Sequence, residues 1–292
     1  MDSVLAQTFS PSEIIIVDDC STDETVAIVN SYSDPRVRCI VLEKNSGAQA
    51  ARNRGIFEAK GEWIAFQDSD DEWEPEKLQK QVEALTALDF DPWTVVHTNA
   101  VRFDAASGRR LRTRLPVVKG ENVYPFLLST PGPMFPGMLV SKEALHKIDY
   151  LDEMVPAYQE WDTSIRLAKI CRFIYLNEPL FVYHLHAGET ISKNTRRDIS
   201  AYQYIVEKFR DEILSVCGEK TWNDHIFFNG LRAIGWGYFQ DAERILGKCI
   251  GPSPGVSVLK LINKLKIHSP HCGLLVRCAN FIRWIGWKIS GK

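Results

Sequence analysis

The sequence has no CxxC pair, and its seven cysteines (Cys20, Cys39, Cys171, Cys217, Cys249, Cys272 and Cys278) are odd in number. That argues against a cysteine-based zinc site and a complete disulfide framework, so a reducing compartment is expected. The N-terminus lacks the charged and apolar regions of a secretory signal, and no apolar run reaches the length of about 18 residues that marks a spanning helix. A cytoplasmic protein is the expectation. Acidic residues are missing from the end of the chain: none follows Glu243, although nine Lys or Arg do. The net charge of -2 therefore divides into about -11 for residues 1–243 and +9 for the remainder, so the two parts should meet different surroundings.

What is present suits a large domain with an appendage, since 292 residues at 45% hydrophobic content can bury a sizeable core. The run Ile14 to Val17 does not alternate, as befits a parallel strand covered on both faces. Ser21 and Glu24 have the spacing of a capping box, predicting a helix that carries Val26, Ile28 and Val29. "VRCIVL" reads as a second strand, "GAQAARNRGIFEA" as a helix of small residues, "WIAF" as a third strand and "WTVVHTN" as a fourth. Between the last two, Pro75 sits where a helix accepts it, followed by Leu78, Val82 and Leu85 at helical spacing. Strands alternating with helices predict an open α/β sheet with ligands at the carboxyl ends of its strands. Asp18, Asp19, Asp68, Asp70 and Asp71 fall at such ends. Beyond Ile199 the pattern is helical, and "GPSPG" at 251–255 is the clearest linker. The expected divisions are 1–198, an α/β domain; 199–250, a helical extension; and 251–292, a basic amphipathic tail.

The acidic cluster in "FQDSDDEWEPEKL" has three readings: a solvated loop, complementation of a helix dipole, and a metal site. An EF-hand is excluded, because counting from Asp68 puts Trp73 where glycine is needed and Gln79 where the bidentate Glu belongs. Two carboxylates separated by one residue suit a hard divalent ion that keeps positions open for phosphate oxygens. Asp18 and Asp19 can accept hydrogen bonds from a base or ribose, while Arg52 and Arg54 offset part of the charge. Together these call for a nucleoside diphosphate bridged by metal.

With "SVLAQTFSPSEIIIVDDCSTDET", "NSGAQAARNRG", "GEWIAFQDSDDEWEPEKLQKQ" and, more loosely, "YQEWDTSIRLAK" and "FVYHLHAGETIS", residues 2–195 resemble the family 2 inverting glycosyltransferases. The resemblance implies the GT-A nucleotide-diphospho-sugar fold: an open, mixed, mostly parallel sheet flanked by helices, here with a helical C-terminal extension. It implies that Asp18 and Asp19 lie near the uracil and ribose and that Arg52 belongs to the nucleotide-binding block. Asp68 and Asp70 would hold Mn2+ or Mg2+, Asp68 also meeting the nucleotide sugar, with Asp71 in support. His184, His186 and Ser192 match a loop that closes over the diphosphate. Glu160 falls where the family has the aspartate of a Glu-Asp pair as catalytic base; Asp162 is the alternative. Family members also carry a first strand and a nucleotide-contacting turn ahead of the helix matched by "DSVLAQTF", and the 292 residues are expected to lack both.

The implied reaction moves a sugar, expected from a UDP-sugar, to a saccharide or lipid-linked acceptor in surface-polysaccharide synthesis. Two other readings stay open: a nucleotidyltransferase, and an inactive relative serving as an interaction module. In "GLLVRCANFIRWIGWKI" a helical wheel separates Arg277, Arg283 and Lys288 from Leu275, Ile282, Ile285 and Ile289. Residues 256–292 are accordingly read as an anchor on an anionic membrane surface, the alternative being a helix docked on its own domain. No nucleic-acid-binding motif accompanies the charge, so no nucleic-acid partner is expected.

Overall fold

The computed structural model describes residues 1–113, 115–185 and 194–264. They fall into two compact units, one of 1–155 with 159–185, the other of 156–158 with 194–264.

The first unit opens with α1 (Asp2–Leu5), β1 (Ile14–Asp18), α2 (Thr25–Asn30), β2 (Val37–Val41) and α3 (Ala48–Glu58). There follow β3 (Trp63–Ala65), β4 (Glu72–Trp73), α4 (Lys77–Thr86) and the hairpin β5 (Thr94–Asp104) and β6 (Arg109–Thr113). After α5 (Tyr124–Ser129) come β7 (Leu139–Ser141), α6 (Lys142–Lys147), α7 (Gln159–Leu167) and β8 (Arg172–Leu185). The capping box at Ser21 does not form. The helix starts only at Thr25, because Asp18 takes the Ser21 amide and the Asp23 carboxylate takes the Thr25 amide, turning the chain before it can coil.

The class is mixed α/β, as expected, with strands in two sheets. β1 and β2 pair in parallel over five residues. A larger sheet runs β3-β7-β5-β8-β4 with β6 on β5. Its centre is the parallel β5–β8 ladder of eleven pairs, and its other ladders are antiparallel. Register shifts around Asn99 place it opposite Pro179, which has no amide to donate to a ladder. Past that irregularity, Phe181 and Val182 pair with β4 and thereby fix the loop after β3.

The segment "TPGPMFPGM" lies under this sheet. Phe135, Gly137 and Met138 are buried, and a Cβ on Gly137 would come within 2.8 Å of the Phe181 ring. Gly137→Ala should therefore cost about 1–3 kcal/mol, the usual penalty for overpacking. Urea unfolding measures it, and an unchanged midpoint would mean that Phe181 turns aside freely.

The second unit contains α8 (Thr195–Lys208), α9 (Arg210–Glu212), α10 (Gly218–Gly235), α11 (Phe239–Leu246) and α12 (Pro254–Lys264). Gly230 lets α11 approach α10 closely, since a Cβ there would strike Leu246. Val256 and Leu259 of α12 are buried, and the Asn263 side-chain amide donates to the Phe239 carbonyl. The described start of the basic tail is thus a docked helix, with Val258 and Leu261 outward. The tryptophan-bearing helix expected at 273–289 lies outside the described residues. Among the described residues no helix is long and apolar enough to cross a membrane, and the five cysteines there are free.

Candidate active site

Helix α3 organises the site. Asp19 accepts from the amides of Ser46 and Gly47 at 2.6 and 2.7 Å, and Gly47, at φ 92, supplies the turn into the helix. Its residues Gln49, Arg52 and Asn53, at i, i+3 and i+4, share one face. Asn53 bonds the Leu151 backbone in both directions and also donates to Glu153, tying down the loop that leads to α7. Arg52 is the hub. One guanidinium nitrogen lies 2.6 Å from Asp68, the other donates to Gln159 at 2.9 Å and Gln49 at 3.1 Å, and its plane sits 4.7 Å from the centre of the Phe135 ring. Asp68, after β3, and the first residue of α7 are thereby held on one cation.

Asp68 also begins a turn, its carbonyl accepting from the Asp71 amide at 3.2 Å. Asp71 is buried and accepts from the His184 backbone amide at 3.1 Å, which pins the acidic turn to β8. Burial, with Asp68 and Asp70 adding repulsion, pushes the Asp71 carboxyl up to about 7 despite that hydrogen bond. Asp71 thus acts mainly as a brace. Asp70, at the tip, is exposed. The His184 ring lies 3.2 Å from Glu72.

Glu160 occupies the first turn of α7, half-buried. Desolvation raises its pKa above the usual carboxylate value; Arg52 pulls it down and Asp68 pushes it up, so all three share one electrostatic environment. Asp162 is different. It is fully buried and accepts from the Arg166 guanidinium at 2.8 Å, while Arg166 also donates to the carbonyls of Ile148 and Tyr150. Asp162, the alternative base, thus lies in a buried ion pair with Arg166, whereas Glu160 is partly exposed. Asp18 is also buried, with its carboxylate on the Ser21 amide. Asp18, the last residue of β1, and Asp19 thus both shape loops. His186 and Ser192 lie outside the described residues.

Among the described residues no cluster of three or more His, Cys, Asp or Glu is arranged to hold a metal ion. The donor set nevertheless fits a shared ion. Asp70 is exposed, and Arg52 occupies only Oδ1 of Asp68. Magnesium-type sites commonly take one or two carboxylates and complete their shell with phosphates and water.

Residues 1–149 match the family model described as glycosyl transferase family 2. The succinoglycan biosynthesis protein ExoO of Rhizobium meliloti (strain 1021) is 47% identical over 87 residues, 30% of this chain and 25% of that protein. UDP-Glc:alpha-D-GlcNAc-diphosphoundecaprenol beta-1,3-glucosyltransferase WfaP of Escherichia coli is 46% identical over 85 residues, 29% of this chain and 34% of its own length. The chain thus matches only a quarter to a third of these relatives. The mannosyltransferase PcManGT of Pyrobaculum calidifontis, solved with GDP-Man and Mn2+, superposes with a TM-score of 0.57 at 18% identity, covering 96% of this chain and 79% of that one. That likeness carries the fold alone.

Proposed function

Since the chain belongs to glycosyl transferase family 2, we propose that it is an inverting glycosyltransferase that uses Glu160 as base and a UDP-sugar as donor. The observation that carries this reading is that one guanidinium, that of Arg52, holds both Asp68 and Gln159, the residue before Glu160. In a single displacement, Glu160 takes the proton of an acceptor hydroxyl as that oxygen attacks the anomeric carbon opposite the nucleotide. Asp68 and Asp70 would hold Mn2+ or Mg2+, which when bound offsets the charge of the departing diphosphate. Arg52 orients Asp68 and favours the charged form of Glu160. Asp18 and Asp19 would receive the nucleoside, and His186 and Ser192 would cover the diphosphate.

A saccharide or lipid-linked acceptor in surface-polysaccharide synthesis fits the names of ExoO and WfaP. The basic residues of 256–292 would hold the enzyme to the cytoplasmic face of an anionic membrane, and the division at about 198 would separate catalysis from that extension.

The direct test is calorimetric titration of UDP into the purified chain with Mn2+ and then with EDTA. Metal-dependent binding is expected; equal binding in both conditions would remove the metal from the proposal. The pH profile gives an independent check. Glu160 works ionised and its pKa is raised, so kcat/KM should fall on acidification at a pH above the ordinary carboxylate range. Arg52 lowers that pKa; Arg52→Met should therefore move the acidic limb to still higher pH. An unmoved limb would show that the limb does not belong to Glu160.

A further inference from the structure

We propose that one face of the β5–β6 hairpin docks on an anionic lipid bilayer, a contact on the first unit that is separate from residues 256–292. It depends neither on the catalytic reading nor on binding by that tail. Residues 1–243 carry about -11, yet the hairpin sequence "RFDAASGRRLRT", 102–113, holds four arginines and one aspartate. That aspartate is spent on the turn. Asp104 accepts from the Ala106 amide at 3.0 Å and the Ser107 hydroxyl at 2.8 Å, and its carbonyl accepts from the amide of Gly108, which sits at φ 66. Arg102 acts on Asp104 only through its field.

Register sorts the arginines. Phe103 pairs with Arg110 and Val101 with Arg112, so these side chains share one face. On it, Arg110 ion-pairs with Glu74 at 2.5 Å and Arg112 donates to the Asn177 carbonyl at 2.6 Å, which braces both on the protein. The Phe103 ring lies 5.2 Å from the ring of His184, whose amide holds Asp71. The hairpin thus grows from the strand pair that carries the candidate active site. Arg102 pairs with Leu111 and Asp104 with Arg109, which puts these four on the opposite face. There Arg102 and Arg109 are exposed, neither makes a side-chain hydrogen bond or ion pair among the described residues, and Leu111 between them is 57% exposed.

Two unpaired arginines around an exposed leucine fit one partner. Guanidinium forks match phosphate oxygens, and a leucine beside them gains burial where headgroups give way to acyl chains. Charge often guards an edge strand such as β6, which pairs only with β5 among the described residues, but that role leaves Leu111 unexplained. A soluble phosphate would use the arginines and not the leucine. Because residues 1–243 are acidic overall, an anionic surface is repelled elsewhere and steered to this hairpin. A bilayer met here lies beside the strands that hold the acidic turn, where a saccharide presented from the headgroup layer has a short path to the site.

The test mixes the full chain with vesicles of phosphatidylcholine alone and of phosphatidylcholine with phosphatidylglycerol. Partitioning is read by sedimentation and amide hydrogen exchange over residues 102–113. Vesicles with phosphatidylglycerol should slow exchange in the hairpin. Changing Arg102→Gln together with Arg109→Gln should remove that protection and lower partitioning by about tenfold or more, in line with the worth of two basic residues at an anionic surface. Leu111→Ser should weaken binding as well, whereas the pair Arg102→Lys and Arg109→Lys, which keeps the charge, should retain it. All three positions are exposed, so the fold is kept, as circular dichroism checks. Hairpin exchange that the vesicles leave unchanged would overturn the proposal, whether the chain stays in solution or sediments through its tail alone. So would equal protection by phosphatidylcholine alone, or by inorganic pyrophosphate or heparin without vesicles, which would assign the arginines to a soluble anion. Because neither readout involves nucleotide or turnover, a failed UDP titration leaves the proposal standing, and the reverse also holds.

Discussion

Glu160→Gln lowers turnover by about 10²- to 10⁴-fold, the range usual for loss of a general base, with donor affinity nearly unchanged. The amide keeps the size of the side chain at a half-buried position, so packing is preserved. Only the proton acceptor is gone. The effect should fall on kcat and kcat/KM together, since the lost interaction is made in the transition state. Asp162→Asn provides the contrast. Asp162 is buried on Arg166, and weakening that pair should lower stability by up to about 3–5 kcal/mol, with any loss of rate following the loss of folded protein. Equal kinetic defects in the two variants at matched folded fractions would contradict the assignment.

The second large effect is expected at Asp70. Asp70→Asn should reduce turnover by about 10²- to 10³-fold, corresponding to several kcal/mol of charge stabilisation on the leaving diphosphate. Because the side chain is exposed at the tip of the turn, unfolding measurements should match wild type. The defect should ease as Mn2+ is raised if the remaining carboxylate still recruits the ion. A variant within a few-fold of wild type at every metal concentration would remove Asp70 from the leaving-group machinery.

Much of the fold was legible because the signals were local. Apolar runs ending in aspartates marked β1 and the approach to the Asp68–Asp71 turn, and small residues marked α3. α2 starts later than the spacing predicts because Asp18 takes the Ser21 amide that a capping box would use, and Asp23 instead takes the Thr25 amide. The two-sheet arrangement depends on which strand edges meet, a long-range fact that no local spacing encodes. At the site, the Asp-x-Asp turn and Glu160 were visible as sequence blocks. Gln49, Asn53 and Phe135 were not, because each acts through another residue: Gln49 and Phe135 through Arg52, Asn53 through the loop before α7. The polar i, i+3, i+4 pattern in "QAARN" was the available signal. Gln159, the residue before Glu160, binds the same arginine as Asp68, a link that no local spacing encodes. Asp162, one helical turn before Arg166, reads in retrospect as half of an i, i+4 ion pair.

The most direct test identifies the phosphorus product. The full chain is incubated with UDP-sugars, Mn2+ and a saccharide-diphospholipid acceptor, and the mixture is resolved by phosphorus NMR for the nucleotide product and by proton NMR for the anomeric configuration. Glycosyl transfer with Glu160 as base predicts that UDP accumulates in step with a product of inverted anomeric configuration. Release of pyrophosphate would assign nucleotidyl transfer instead, and retained configuration would remove the single displacement at the centre of this account.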